Sequence, residues 1–325
     1  MKKPFDFIAH RKIFLLISLG IILVGIVCNI LMPVELDITF KGGTLLKYSY
    51  TGTIDKPKVD TLVDDTLKKD AVVEVTENDL SGTNILSVSL TDTILPEQQD
   101  ELKAALLEAF PDNKIEGISA NALEAAMGHK FLIKCLVAVG LASVFLVIYV
   151  GLRFRKIGGL SAGVMAVLAL FNDLLVAYFA FVIFRIPLND NFVAVLLSIL
   201  GYSLNDTIVI YDRIRENRTL MGSKASIGEV VNTSLNQSFA RTCNTSLCTL
   251  FAIGTVAVLA LAMNLDSIVS FAVPMMFGVI SGFYTSVCLC SPVWVLWKER
   301  QEKRELEKKS AAKSGKKSAK SQKAK

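Results

Sequence analysis

Apolar residues in this chain gather in long blocks rather than spreading evenly. Six blocks are long enough to cross a hydrocarbon core of about 30 Å, which takes roughly 20 apolar residues in helical form. They are Ile13–Met32, Phe131–Val150, Gly159–Phe184, Phe192–Tyr211, Phe239–Met263 and Ile268–Trp297. The first block carries no charge, stops at Pro33 and follows a basic leader with Lys2, Lys3, Arg11 and Lys12, so it reads as a signal anchor. Its apolar run exceeds the roughly 7–15 residues of a cleavable signal core, and no small-residue cleavage site follows it. The last block is long enough to tilt or to extend into the interface.

Between the first and second blocks the pattern shortens. Alternating residues from Leu36 through Tyr50 predict a strand interrupted at Gly42-Gly43. A helix follows at Lys58–Lys69, then strands at Ala71–Glu77 and Asn84–Leu90 around the turn-prone run 78–82. A second helix, Pro96–Phe110, sets Leu102, Leu106 and Ala109 on one face and opens with Pro and Glu. Lys114–Ser119 is the last predicted strand. The order βαββαβ is the ferredoxin-like arrangement, which buries one sheet face under two helices. The expected fold is therefore an α-helical membrane protein with six transmembrane helices plus a small α+β ferredoxin-like extracytoplasmic domain. Its expected divisions are a cytoplasmic leader (1–12), a first transmembrane helix (13–32), the extracytoplasmic domain (33–129), a five-helix transmembrane bundle (130–297) and a basic cytoplasmic tail (298–325).

Composition supports this division: 52% of the 325 residues are hydrophobic, too many for an ordinary soluble domain of that length. Lys and Arg mark the orientation, because cytoplasmic loops hold more of them. The leader, the second-to-third connection (Arg153, Arg155, Lys156), the fourth-to-fifth connection (Arg213, Arg215, Arg218, Lys224) and the tail are basic, so both termini are expected in the cytoplasm of a prokaryotic inner membrane protein. The outer segment holds Asp55, Asp60, Asp64, Asp65, Asp70, Glu74, Glu77 and Asp79, so a net charge of +5 combines an acidic outer domain with a basic inner face. Nucleic-acid binding is not implied. The cysteines (Cys28, Cys135, Cys243, Cys248, Cys288, Cys290) all fall in apolar spans with no zinc-site spacing, and His10 and His129 are isolated. They read as small packing residues, and no metal site is expected. Without clustered His, Cys or a nucleophile motif, the outer domain reads as a moving or binding module rather than an enzyme.

Chemistry is sought where the chain breaks the rule that membrane helices avoid charge. Asp173 lies in the third block, Asp206 in the fourth and Arg241 at the start of the fifth. Counted from Phe192, Asp206 sits roughly 20 Å deep. Helical spacing puts Tyr202 and Ser203 on its face, and Asn205 adds another polar group. A movable Arg beside the carboxylate would switch it between protonated and charged forms, the minimum chemistry of a proton relay. The other reading is a static ion pair tying helices together. Arg241 is accompanied by Asn236, Gln237, Thr242, Asn244, Thr245 and Ser246, so this face is expected to line water or a partner helix. Asp173, beside Asn172, either extends the relay outward or is a neutral acid in a helix contact. Gly159 and Gly163, and Gly278 and Gly282, form two small-xxx-small surfaces, while Pro274 and Pro292 lie within the sixth block as kink sites.

The stretch GYSLNDTIVIYDRIREN at 201–217 is similar over its whole length to the signature of SecF proteins. LDITFKGGT at 36–44, with Asp37, Gly42 and Gly43, resembles the family's Asp-x-x-Phe-x-Gly-Gly element. SLNQSFARTCNTSLCT at 234–249 is similar to its Asn-Gln…Arg-Thr…Thr-Ser element, and FGVISGFYTS at 277–286, with Gly278, Gly282 and Tyr284, resembles its Gly-x-x-x-Gly-x-Tyr-Ser-Ser run. The likeness covers nearly the whole chain except the Lys-rich tail. Such proteins belong with the resistance-nodulation-division transporters. The resemblance implies a complex with SecD, and with the SecYEG channel and YajC, that draws on the proton gradient to help pull an exported polypeptide outward, without cofactors. Asp206 and Arg241 match the family's membrane-embedded charged pair. Many members have His-Asp in the third span where this chain has Asn172-Asp173, so a proton role there rests on Asp173. Sodium is the other coupling ion to weigh.

One six-span unit with one outer domain resembles half of such a transporter, the other half coming from a second chain. Two further classes stand beside the motor: an assembly subunit whose buried charges are structural pairs, and half of a small-molecule exporter. The tail mixes Lys, Arg, Glu, Ser and Ala without an apolar stripe, and is expected to be largely disordered and to attract anionic lipid at ~1 kcal/mol per basic residue near the surface.

Overall fold

The computed structural model describes residues 4–37, 43–69, 71–76, 84–90, 94–123, 125–222, 225–263, 265–301 and 303–304. Six helices in it are long and apolar enough to cross a membrane. Helix α1 (Arg11–Leu31) leads into the α+β domain: β1 (Gly43–Tyr50), α2 (Lys56–Leu67), β2 (Ala71–Thr76), β3 (Asn84–Leu90), α3 (Pro96–Ala109) and β4 (Glu116–Leu123). The chain returns through α4 (Ala125–Arg153), α5 (Gly159–Ile183), α6 (Asp190–Met221), α7 (Ile227–Ala262) and α8 (Asp266–Tyr284). A π-helical turn, Thr285–Cys290, follows α8, and the span carries on to Gln301.

The outer sheet has the order β2-β3-β1-β4 with every neighbour antiparallel, which is the topology the βαββαβ pattern predicts. Period-two alternation explains its core. Leu46, Tyr48 and Tyr50 on β1 and Leu86, Val88 and Leu90 on β3 turn inward, under Val59 and Val63 of α2 and Leu102 and Leu106 of α3, each helical pair one turn apart. Local chemistry sets the ends. Pro57 lies in the first turn of α2, which ends with Lys68 in the left-handed conformation (φ 50°). At α3 the Gln98 side chain reaches back to accept from the Leu95 N–H at 3.2 Å.

Two strand boundaries differ from expectation. Leu36 does not start the first strand; it forms an isolated parallel bridge with Leu188, with Asp37 N–H donating to the Leu188 carbonyl at 3.0 Å and Leu188 N–H to the Glu35 carbonyl at 2.9 Å. Those bonds tie the exit of α1 to the α5–α6 connection. Lys114 cannot open the last strand, because it closes the short helical turn Pro111–Asn113 at φ 44°.

The spans also outrun their apolar blocks. Helix α6 continues ten residues past Tyr211, and α7 begins at Ile227 rather than near Phe239. These polar extensions are held by capping and side-chain bonds. Ser226 and Glu229 form a reciprocal cap on α7, and Asn217 of α6 donates to Ser234 of α7 at 2.8 Å. At one end Arg11, which opens α1, pairs with Glu299 of the last helix (3.1 Å), and Arg153, which ends α4, pairs with Asp212 of α6 (3.3 Å). The α+β domain meets the opposite end, where Lys56 reaches Asp266 at 3.1 Å.

In the bundle, α5, α6 and α8 bury about half of their apolar windows, whereas α1, α4 and α7 leave most of theirs uncovered. Small residues allow the close approaches. A Cβ on Gly159 would meet the Gly151 carbonyl oxygen at 2.2 Å, and one on Gly278 would meet Ile199 Cδ1 at 2.2 Å.

Candidate functional site

Asp173, near the middle of α5, is completely buried, and three neutral hydroxyls bond to its carboxylate. Ser203 on α6 donates to Oδ2 at 2.6 Å, Ser281 on α8 to Oδ1 at 2.6 Å, and Thr285 faces both oxygens at 2.9 Å. Adjacent Asn172 accepts from Ser18 of α1 at 2.5 Å and donates to Ser281 at 3.4 Å. One carboxylate therefore joins α5, α6 and α8, and its neighbour brings in α1.

Helical spacing at the end of α8 makes this reach feasible. Ser281 and Thr285 are four residues apart and share one face, both aimed at Asp173. Ser286, the next residue, bonds to Thr207 at 3.0 Å and to the Ser203 carbonyl at 3.3 Å. Pro292, just beyond the turn, lacks an N–H, and its ring crowds the carbonyl four residues earlier. The wider π winding relieves that conflict, and such bulges recur at functional sites.

Asp206 sits one helical turn from Ser203 toward the basic end and is also buried. Ser246 of α7 donates to its Oδ2 at 3.2 Å. Among the described residues no ion pair joins Asp206 to Arg241. Geometry explains the separation: Ser246 faces Asp206, and the five residues back to Arg241 turn α7 by about 140° beyond one full revolution. Arg241 is exposed on the outward face with Asn244 and Thr245.

The supporting residues divide differently from their spacing. Ser203 serves Asp173 rather than Asp206. Asn205 points outward and is exposed. The Tyr202 hydroxyl is buried beside Ser246 and Thr249 without a hydrogen bond, and the Thr242 hydroxyl is buried and unpartnered as well. Gln237 accepts from Asn217 and from Arg213 Nε, both at 2.7 Å, at the basic end. Asn236 clamps the leader instead of serving a charge: its amide accepts from Phe5 N–H at 2.9 Å and donates to Phe5 carbonyl at 2.8 Å.

Of the motif residues, Gly282 allows close contact with Ser203, since a Cβ there would come within 3.0 Å of the Ser203 Cβ. Tyr284 donates to the Phe14 carbonyl at 2.6 Å, fastening α8 to α1. Gly43 opens β1 at φ 145°, and Gly42 lies outside the described residues. Ser18, Ser281, Thr285 and Thr207 were not singled out by the sequence reading. The available signal was weak: hydroxyl residues one turn apart within apolar blocks, which are equally consistent with ordinary helix packing.

A family model for the protein export membrane protein SecD/SecF, C-terminal, matches residues 102–300. The protein translocase subunit SecF of Alicyclobacillus acidocaldarius is 29% identical over 310 residues, covering 94% of this chain and 96% of that one. The corresponding subunit of Sebaldella termitidis is 31% identical over 285 residues, covering 87% and 88%. The crystal structure of SecDF, a translocon-associated membrane protein from Thermus thermophilus, superposes with a TM-score of 0.71 at 25% identity, over 92% of this chain and 39% of that one. The chain thus spans about two-fifths of the length of the SecDF structures it matches.

Proposed function

This chain belongs to the SecD/SecF family of protein export membrane proteins, and on that premise we propose that it is the SecF half of a SecD–SecF complex that uses the proton gradient to assist Sec-dependent export of polypeptides. The second half comes from SecD. The SecYEG channel and YajC are the further partners. The basic end faces the cytoplasm, with anionic lipid near the tail, and the outer domain stands on the opposite side.

The observation that carries this reading is the buried Asp173, which takes hydrogen bonds from three neutral hydroxyls on α6, α8 and the turn after α8. A carboxylate accepts from all of them. Once protonated, it must donate through one oxygen, and at least one hydroxyl has to turn its own proton elsewhere. Proton gain and loss therefore have different bonding patterns across three helices, and this difference biases a two-state bundle. Asp206, one turn away with a single hydroxyl from α7, extends the same logic to a fourth helix.

The reading is tested with export of a reporter protein in inverted membrane vesicles carrying Asp206→Asn or Asp173→Asn at matched complex levels. Proton and sodium gradients are imposed separately. Loss of proton-stimulated export with assembly intact supports the coupling role. Stimulation that survives both substitutions makes the carboxylates static ties of an assembly subunit. Stimulation by sodium alone moves the coupling ion from proton to sodium.

A further inference from the structure

Helix α7 shows one face of unusual chemistry. Between Leu235 and Ala257 its buried residues are Ser238, Thr242 and Ser246, one turn apart, and Ser234 continues the line below them. A helix that only needs close approach in lipid can use Ala or Gly, as α7 does beyond this region at Ala257 and Ala260. Hydroxyls replace them along the stretch that runs from Asp206 toward the basic end.

The two ends of this line are connected. At the top, Ser246 bonds to Asp206 at 3.2 Å. At the bottom, Ser234 accepts from Asn217 at 2.8 Å, and Asn217 leads through Gln237 to the surface residue Arg213. Ser234 also donates to the Val230 carbonyl at 2.7 Å, the usual resting bond for a helical hydroxyl. Thr242 makes no such bond. Its oxygen is buried without a partner in the middle of the line, where an unsatisfied hydroxyl is costly unless water meets it.

We propose that Ser246, Thr242, Ser238 and Ser234 line a hydrated route by which a proton leaves Asp206 for the cytoplasm. This proposal rests on the proton-coupling reading above. Successive hydroxyls are about 6 Å apart along the helix, twice a hydrogen-bond length, so one water bridges each pair. Protonated Asp206 gives its proton to the first member of the chain. Each hydroxyl or water accepts a proton on one side and releases one on the other. The last releases a proton to the cytoplasm, leaving the Asp206 carboxylate and no net change in the chain.

Two measurements test it on the full chain in its membrane complex. In a background with the six native cysteines replaced, Ser238→Cys and Thr242→Cys are exposed to a small water-soluble thiol reagent from the cytoplasmic side. Both should react at least tenfold faster than Ile210→Cys, which places a thiol at a fully buried apolar position on α6. Equal rates would mean a dry packing stripe and overturn the proposal. In reporter export, Thr242→Val, which keeps shape and removes the hydroxyl, should abolish most of the proton stimulation, and Thr242→Ser should retain it. Should Thr242→Val not assemble, Ser238→Ala is read in the same way. Stimulation that persists in Thr242→Val but is lost in Asp206→Asn refutes the route and leaves the coupling reading standing. Stimulation that persists in both refutes the coupling reading and the route with it.

Discussion

The Ser203 hydroxyl donates to Asp173 at 2.6 Å, although Ser203 lies only three residues from Asp206 on the same helix. The two acid sites therefore meet on adjacent turns of α6, one through Ser203 and the other through Asp206 itself. The same serine carries two further contacts, since Ser286 bonds to its carbonyl and Gly282 packs against its Cβ. A shift of α6 against α8 alters the Asp173 site first.

Thr285→Val removes the donor that faces both Asp173 oxygens while preserving shape. The expected cost is about 1–3 kcal/mol, because a buried acceptor loses its partner. Thermal unfolding of the detergent-solubilised complex should show it. Asp173→Asn should cost less, since the amide oxygen still accepts and the hydroxyls can turn to receive its N–H groups. Asp173→Leu should cost more than either, leaving Ser203, Ser281 and Thr285 without their acceptor.

Gly282→Ala should impair export more than its small size suggests, because the added Cβ presses on Ser203 at 3.0 Å and displaces the donor to Asp173. Gly278→Ala meets the far end of Ile199 at 2.2 Å. Gly278→Ala combined with Ile199→Ala should cost less than the sum of the two single substitutions, whereas Gly282→Ala and Ile199→Ala should simply add. A double-mutant cycle on melting temperature measures the difference.

Glu74, on β2, faces Asp266, Asp37 and Lys56 and accepts from the Ser267 backbone. Burial first, then the two aspartates, raise its pKa above the ordinary 4.5. The folded state thus holds this proton to higher pH than the unfolded state does. Its contribution is full below that ordinary value and is lost as pH rises through the raised one. Glu74→Gln keeps an acceptor for Ser267 without the charge. Its outer domain should resist proteolysis like the parent at acidic pH and better than the parent at neutral pH. The reverse order would contradict this assignment.

The Lys56–Asp266 pair joins the outer domain to α8, yet both side chains are about half exposed. Lys56→Ala should therefore change stability by no more than about 1 kcal/mol, with the loss vanishing at high salt. Asn236→Ala should act differently, freeing the leader by removing both bonds to Phe5. Faster proteolysis near residue 5, with an unchanged melting temperature for the outer domain, is the expected result.

Much of this architecture was legible in the sequence because it follows from local periodicity and solvent preference. Long apolar blocks set the six spans, and alternation from Leu46 to Tyr50 and in Leu86, Val88 and Leu90 set the sheet face. The pattern also made Asp173, Asp206 and Arg241 stand out, since charge in an apolar helix is costly wherever the helix lies. Tertiary structure alone decided which residues meet. The rotation of α7 turned Ser246 toward Asp206 and Arg241 away from it. Asn205 went outward, Asn236 went to the leader, and Ser203 went to Asp173. Spacing along a helix fixes which residues share a face, but the neighbour against that face is set by how whole helices pack. The π-helical turn that follows α8 likewise sits where Pro292 meets that packing, and a proline alone does not specify a π winding.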